Sequence, residues 1–210
     1  MVKVWDIFVR VSHWAVALGF FVAYLTEDDL LTLHVWAGYL VGVLVVLRLL
    51  WGVVGPKHAR FSDFVAGPRT VLVYLRELIA FRAPRHLGHS PAGGVMAIAL
   101  WLGLIAVVWT GLEFYAIAEG RGPLAALAAS PALSSAPASL VAPAAADDEE
   151  TEAQERSQRA GGGVWKEIHE VLSNLVMVLV GLHLAGVLLA SLAHRENLVR
   201  AMWDGKKRAE

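Results

Sequence analysis

Residues 161–197 read GGGVWKEIHEVLSNLVMVLVGLHLAGVLLASLAHREN, an apolar run that carries two histidines, His169 and His183, fourteen residues apart. A hydrocarbon core about 30 Å thick is crossed by roughly 20 apolar helical residues. An ionisable ring held at that depth is costly enough to mark function by default. The stretch therefore decides the class of the chain, a helical membrane protein, and raises a question of chemistry: what two imidazoles in one greasy helix are for.

The rest of the sequence agrees with that class. Of 210 residues, 57% are hydrophobic and 18% charged, and mean hydropathy is +0.55, far more apolar than an ordinary soluble domain. A formal net charge of −1 gives no basic surface of the kind nucleic-acid binding needs, so nucleic acid is not among the expected partners. With no cysteine, disulfides, thiolate nucleophiles, iron–sulfur clusters and covalent haem attachment are all excluded. Metal ligands must come from His, carboxylate or Met.

Four segments have spanning length: residues 7–25, 33–54, 91–116 and 164–193. The first lacks a small-x-small cleavage site after its apolar run and reads as a retained span. Gly55-Pro56 stops the second, Ser90 and Pro91 start the third, and the triple glycine Gly161 to Gly163 loosens the entry to the fourth. The fold expected is an all-α integral membrane protein, a four-helix transmembrane bundle with one short cytoplasmic amphipathic helix. That extra helix starts at Pro68, with Val71, Leu72, Leu75, Leu78 and Ile79 on one face. Of the basic residues outside the spans or within a turn of their ends, thirteen lie on the side of both termini and four on the other, which puts both termini in the cytoplasm by the positive-inside rule. Residues 118–160 form a low-complexity extracytoplasmic loop, rich in Ala, Pro and Ser and then acidic, expected to be disordered.

Four of the eight histidines lie in or at the ends of spans: His13, His34, His169 and His183. His58, His86, His89 and His194 sit near the cytoplasmic interface and read as solvated or capping residues, with His89 only one turn outside the third span. Depth organises the first four. The fourteen-residue step from His169 to His183 is about 21 Å of helix and returns to within about 40° of the same face. His13 matches the depth of His183, and His34 at the outer mouth of its span matches His169. The rings thus pair as His13 with His183 and His34 with His169, each pair joining two helices. Paired neutral imidazoles without a carboxylate or thiolate suit the two axial positions of a haem iron. Zinc usually takes three or four protein ligands. Small residues flank the rings: Ala37, Gly38 and Gly42 after His34, and Gly181, Ala185 and Gly186 around His183. They suit either a macrocycle or close helix packing. Arg10, Arg48 and Lys166 are candidate propionate contacts, though positive flanks at a membrane surface account for Arg10 and Lys166 equally well. Trp5, Trp36, Trp165 and Trp203 read as interfacial belts.

The chain resembles the bacterial cytochrome b561 family, which includes the cytochrome b subunits of nickel-iron hydrogenases. The resemblance is carried by VRVSHW around His13, LTLHVWAGYLVGVLVVLRLLWG around His34, HLGHSPAGGVMAIALWLGLIAVVWTGL for the third span, and WKEIHEVLSNLVMVLVGLHLAGVLLASLAHRENLVRAM around His169 and His183. It implies a four-helix bundle in the bacterial inner membrane with two non-covalent haems b, their ligands on the first, second and fourth spans. It also implies electron passage between a quinone pool and a soluble c-type cytochrome or peripheral redox subunit. The long third loop departs from the usual pattern. Two other functions fit the sequence: a self-sufficient quinone oxidoreductase, with a quinone seat near Arg48 and His89, or the membrane anchor of a larger oxidoreductase. A haem-free scaffold using its histidines for helix contacts is a third.

Overall fold

In a computed structural model the described residues are 1–26, 30–128 and 148–209, with backbone alone at 127–128 and 148–161. In chain order they form β1 (Val2–Lys3), α1 (Ile7–Leu25), α2 (Leu31–Val54), α3 (Pro68–Ile79), α4 (Pro91–Glu119), α5 (Pro123–Ala128), α6 (Asp148–Ala193), α7 (Leu198–Asp204) and β2 (Lys206–Lys207). Two single-turn 3-10 segments, Lys57–Ala59 and Phe61–Asp63, follow α2. Four helical stretches are long and apolar enough to cross a membrane: α1, α2, α4 and the Gly162–Ala193 part of α6. Their surfaces carry large exposed apolar side chains, among them Leu18, Leu50, Val53, Leu182, Leu188 and Leu192, as lipid-facing helices do. The chain is an all-α membrane protein with four transmembrane helices.

The helix termini follow local chemistry. Asp6 caps α1 by accepting from the Val9 N–H at 3.0 Å, Ser90 accepts from the Gly93 N–H at 3.2 Å to start α4, and Asn197 accepts from the Arg200 N–H at 2.8 Å to start α7, each satisfying an orphan donor of a first turn. Two stretches differ from expectation. The triple glycine does not interrupt α6, which runs through it from Asp148, because good helix formers on both sides propagate across the glycines despite a cost of about 1 kcal/mol each. The low-complexity segment is flanked by helix, at α5 and from residue 148 onward. The expected disorder between residues 129 and 147 lies outside the described residues.

The chain divides into two compact units, residues 1–105 with 175–210, and residues 106–174. In the first, α1 and α2 pack through small residues: a Cβ on Gly19 would stand 2.9 Å from Val41. Gly103 on α4 faces Val176 on α6, where a Cβ would come within 2.7 Å, and Val176 is among the most buried side chains of the chain. Such close approach supplies the van der Waals contact that drives helix association where no hydrophobic effect operates. The α3 helix buries Tyr74 and Leu78 and leaves Leu72, Leu75 and Ile79 exposed, so its apolar residues are divided between the protein and the surroundings.

Outside the spans the two ends of the chain are tied together. β1 and β2 pair antiparallel, Val2 opposite Lys207, and the Val4 and Trp5 N–H groups donate to the Gly205 carbonyl at 2.8 and 3.2 Å. Gly205 closes α7 with φ +77°, and a Cβ there would stand 2.7 Å from the Trp5 carbonyl oxygen, so only glycine fits. The Arg85 guanidinium grips the Glu196 carboxylate at 3.1 and 3.0 Å, while the Arg208 N–H donates to the same carboxylate at 2.9 Å. Burial of Glu196 raises its pKa, but the hydrogen bonds from Arg85 and Arg208 outweigh that and hold it below the ordinary carboxylate value. A folded pKa below the unfolded one means the contribution to stability is complete above the unfolded value and is lost as pH falls through the folded one. Glu196→Gln should therefore lower thermal stability in detergent at pH 7, by about 1–3 kcal/mol. Wild type and variant should converge in acid, and thermal unfolding followed by circular dichroism across pH 3–8 checks this.

Candidate functional site

The first unit brings His13 of α1 and His183 of α6 face to face, with ring centroids 6.4 Å apart and planes inclined by 52°. A metal–imidazole bond is about 2.0–2.1 Å, and a ring centroid lies about 1.1 Å behind its nitrogen. Two imidazoles on opposite sides of one ion would thus have centroids about 6.3 Å apart. Among the described residues no group of three or more His, Asp or Glu side chains comes together, so the donor set here is two imidazoles and fits axial ligation better than a tetrahedral site. The His13 Nδ1 is buried without a hydrogen-bond partner. A Cβ placed on Gly38, Gly181 or Gly186 meets nothing within 4 Å. These glycines therefore leave room beside the helices and do not serve close packing.

His34 and His169 are oriented by a common device. The His34 Nδ1 donates to the Ala23 carbonyl of α1 at 2.9 Å. In the second unit the His169 Nδ1 lies 3.0 Å from the Val107 carbonyl and 3.1 Å from the Thr110 hydroxyl, both on α4. A backbone carbonyl can only accept, so in each ring Nδ1 carries a proton. A metal-ligating histidine characteristically has this arrangement, its second nitrogen bonded to a carbonyl that fixes tautomer and orientation. Gly111 admits the His169 ring: a Cβ there would stand 2.9 Å from its Cε1.

The chain belongs to the prokaryotic cytochrome b561 family. The family model matches residues 4–205, which include all four rings. No curated protein and no solved structure matched the chain. Membership makes the protein a multi-pass bacterial membrane cytochrome that binds haem b and transfers electrons. The paired imidazoles described above fit that cofactor.

The remaining candidates fare unevenly. Arg10 donates through Nε to the Trp203 carbonyl at 2.9 Å and so closes the end of α7, and Lys166 pairs with Glu170 at 3.4 Å in an exposed position. Arg48 is only 5% exposed. Its Nη2 donates to the Ala59 carbonyl at 3.1 Å, its guanidinium faces the rings of Phe61 and Trp101 at 5.7 and 5.9 Å, and its Nη1 is buried without a partner. Trp5 is not an interfacial belt residue: it is 6% exposed and packs with Val4, Val9 and Ala59. His89, read as a solvated interfacial residue, instead lies against Trp5 and Phe64, with ring centroids 4.8 and 4.3 Å away. Burial, followed by the positive charges of Arg48 and Lys207, pushes its pKa down to about 3, so the ring is neutral at physiological pH. Its isolation from the spans in sequence concealed this; the one available signal was its position a turn before Pro91.

Gly111→Val should displace the His169 ring and reduce the haem absorbance of the purified protein, whereas Thr110→Ser, which keeps the hydroxyl, should retain it. Absorbance spectra normalised to protein check both.

Proposed function

We propose that the protein is a di-haem b-type cytochrome that carries electrons across the bacterial inner membrane, between a quinone pool and a soluble c-type cytochrome or peripheral redox subunit. His13 with His183 and His34 with His169 are the two pairs of axial ligands. The observation that carries the reading is the His13–His183 pair, whose 6.4 Å centroid separation suits one ion between the rings. The Nδ1 hydrogen bonds of His34 and His169 support the second pair, since a carbonyl acceptor on the second nitrogen is characteristic of metal-ligating histidines. Each haem, when bound, supplies a one-electron couple at a fixed depth.

The protein's own part is to set those depths. His169 and His183 are separated by about 21 Å of rise along α6, so a pair built at each belongs near a different side of the membrane. With thirteen basic residues on the terminal side against four on the other, both termini are cytoplasmic, and the His13–His183 pair is the inner one.

A pyridine haemochrome assay on the purified protein should give two haems b per chain. His183→Ala and His169→Ala should each give one, with the remaining haem differing in its α band between the two variants. Unchanged haem content in both variants would refute the ligand assignment.

A further inference from the structure

We propose that α3 and Phe81 lie in the headgroup layer of the membrane, on the side of the chain termini, where Arg69 and Arg76 hold an anionic phospholipid. This adds a lipid partner to the chain and does not depend on the assignment of haem ligands.

The neighbours of α3 set its level. It lies between the end of α2 at Val54 and the start of α4 at Pro91, so both its connections run to the same face of the membrane. The Tyr74 hydroxyl lies 3.4 Å from Nε2 of His194, the residue that follows the span in α6. The last turns of α2 and α6 expose Val53, Val54 and Leu192, so apolar surface continues from the spans up to that level.

The side chains of α3 divide into stripes. At about 100° per residue, Tyr74 and Leu78 share one side, and both are buried against the protein. Leu72, Leu75 and Ile79 are exposed and fill a stripe about 60° wide next to them. Arg69 and Arg76, both exposed, fall within about 20° of each other on the far edge of that stripe. Protein, apolar and cationic stripes in this order suit a helix lying in an interface, its apolar face toward the acyl chains and its cations at headgroup depth. Neither guanidinium has a hydrogen-bond or ion-pair partner among the described residues. Glu77, the one carboxylate of α3, points about 80–100° away from them.

Phe81 is an independent sign of the same surroundings. The Phe81 N–H donates to the Leu78 carbonyl at 3.1 Å and the Arg82 N–H to the Glu77 carbonyl at 2.8 Å, a helix ending that usually has glycine at its left-handed position. Phe81 takes that position with φ +56° and is 59% exposed. A left-handed backbone is costly for a residue with a β-carbon, and an apolar ring placed there at membrane level is repaid by acyl chains. A soluble acidic protein would meet the arginines, but it would also have to cover Leu72, Ile79 and Phe81 where the spans already meet lipid. Charge and depth together favour the anionic lipid.

The chain has no cysteine, so Ile79→Cys and Thr70→Cys each take a single bimane label in the full-length protein reconstituted in phosphatidylcholine vesicles. Thr70 is exposed on the opposite side of α3. Nitroxide-labelled phosphatidylglycerol or phosphatidylcholine is included at equal mole fraction. The Ile79 label should be shielded from acrylamide, and the anionic nitroxide lipid should quench it about fivefold more strongly, the scale of one arginine at a charged surface. Arg69→Gln with Arg76→Gln should bring the two lipids to near equality, whereas Arg69→Lys with Arg76→Lys should keep the preference. Phe81→Gly, which suits the backbone better, should open the Ile79 label to acrylamide without lowering thermal stability. Equal quenching by the two lipids overturns the proposal, and so does a preference that survives the loss of both arginines. A label at Ile79 as open to acrylamide as one at Thr70 overturns it too and assigns the face to a soluble partner. Unaltered acrylamide access in Phe81→Gly overturns the placement of Phe81.

Discussion

A bilayer offers no water to an imidazole, so every N–H placed in a span must find its acceptor inside the protein. His34 and His169 meet that demand by donating to main-chain carbonyls of neighbouring helices, Ala23 and Val107. A carbonyl oxygen has two lone pairs and can serve its own helix and a visiting ring together. The Val107 carbonyl lies within reach of both His169 and the Thr110 hydroxyl. The bond that makes each ring tolerable in the membrane also fixes its orientation, which is the arrangement metal-ligating histidines characteristically have.

Around His13 and His183 the polar interactions serve closure. The C-terminal residues return to the start of α1 through β2, the Gly205 carbonyl and the Arg10–Trp203 bond. Trp203 stacks edge-on against Trp14 at 5.9 Å, and Trp14 against His13 at 5.2 Å. The Arg85–Glu196 pair holds the segment after α6, with the Glu196 side chain 7% exposed. Closing the two ends of the chain against each other fixes where α1 begins and α6 ends, and the positions of His13 and His183 follow from that.

The spans and their approximate limits were legible from apolar length and from punctuation such as Ser90-Pro91 and Gly55-Pro56, because helices in lipid satisfy their backbone internally and announce themselves by composition. The 6.4 Å approach of the His13 and His183 rings agrees with their matched depths, since depth along a helix is arithmetic. His89 was not legible in this way. It precedes α4 in an irregular segment, where no periodicity assigns a side chain to a face, and its burial against Trp5 and Phe64 depends on how the residues after α2 fold back. Trp5 escaped for the same reason, an aromatic near a membrane boundary having the same sequence signature whether it faces headgroups or a core. The helix through Gly161 to Gly163 was missed because glycine lowers local propensity, whereas cooperative propagation is decided by the neighbours.

The sequence by itself determined that the chain is helical and that it crosses the membrane, since hydropathy is a property of the residues in order. Only the tertiary structure decided which carbonyls receive the His34 and His169 protons, that Arg10 closes the end of α7, and that Arg48 and His89 keep buried donors without partners. Hydrogen bonds between helices depend on rotation and separation to within a fraction of an ångström, and residue order does not encode those separately from the packing that produces them.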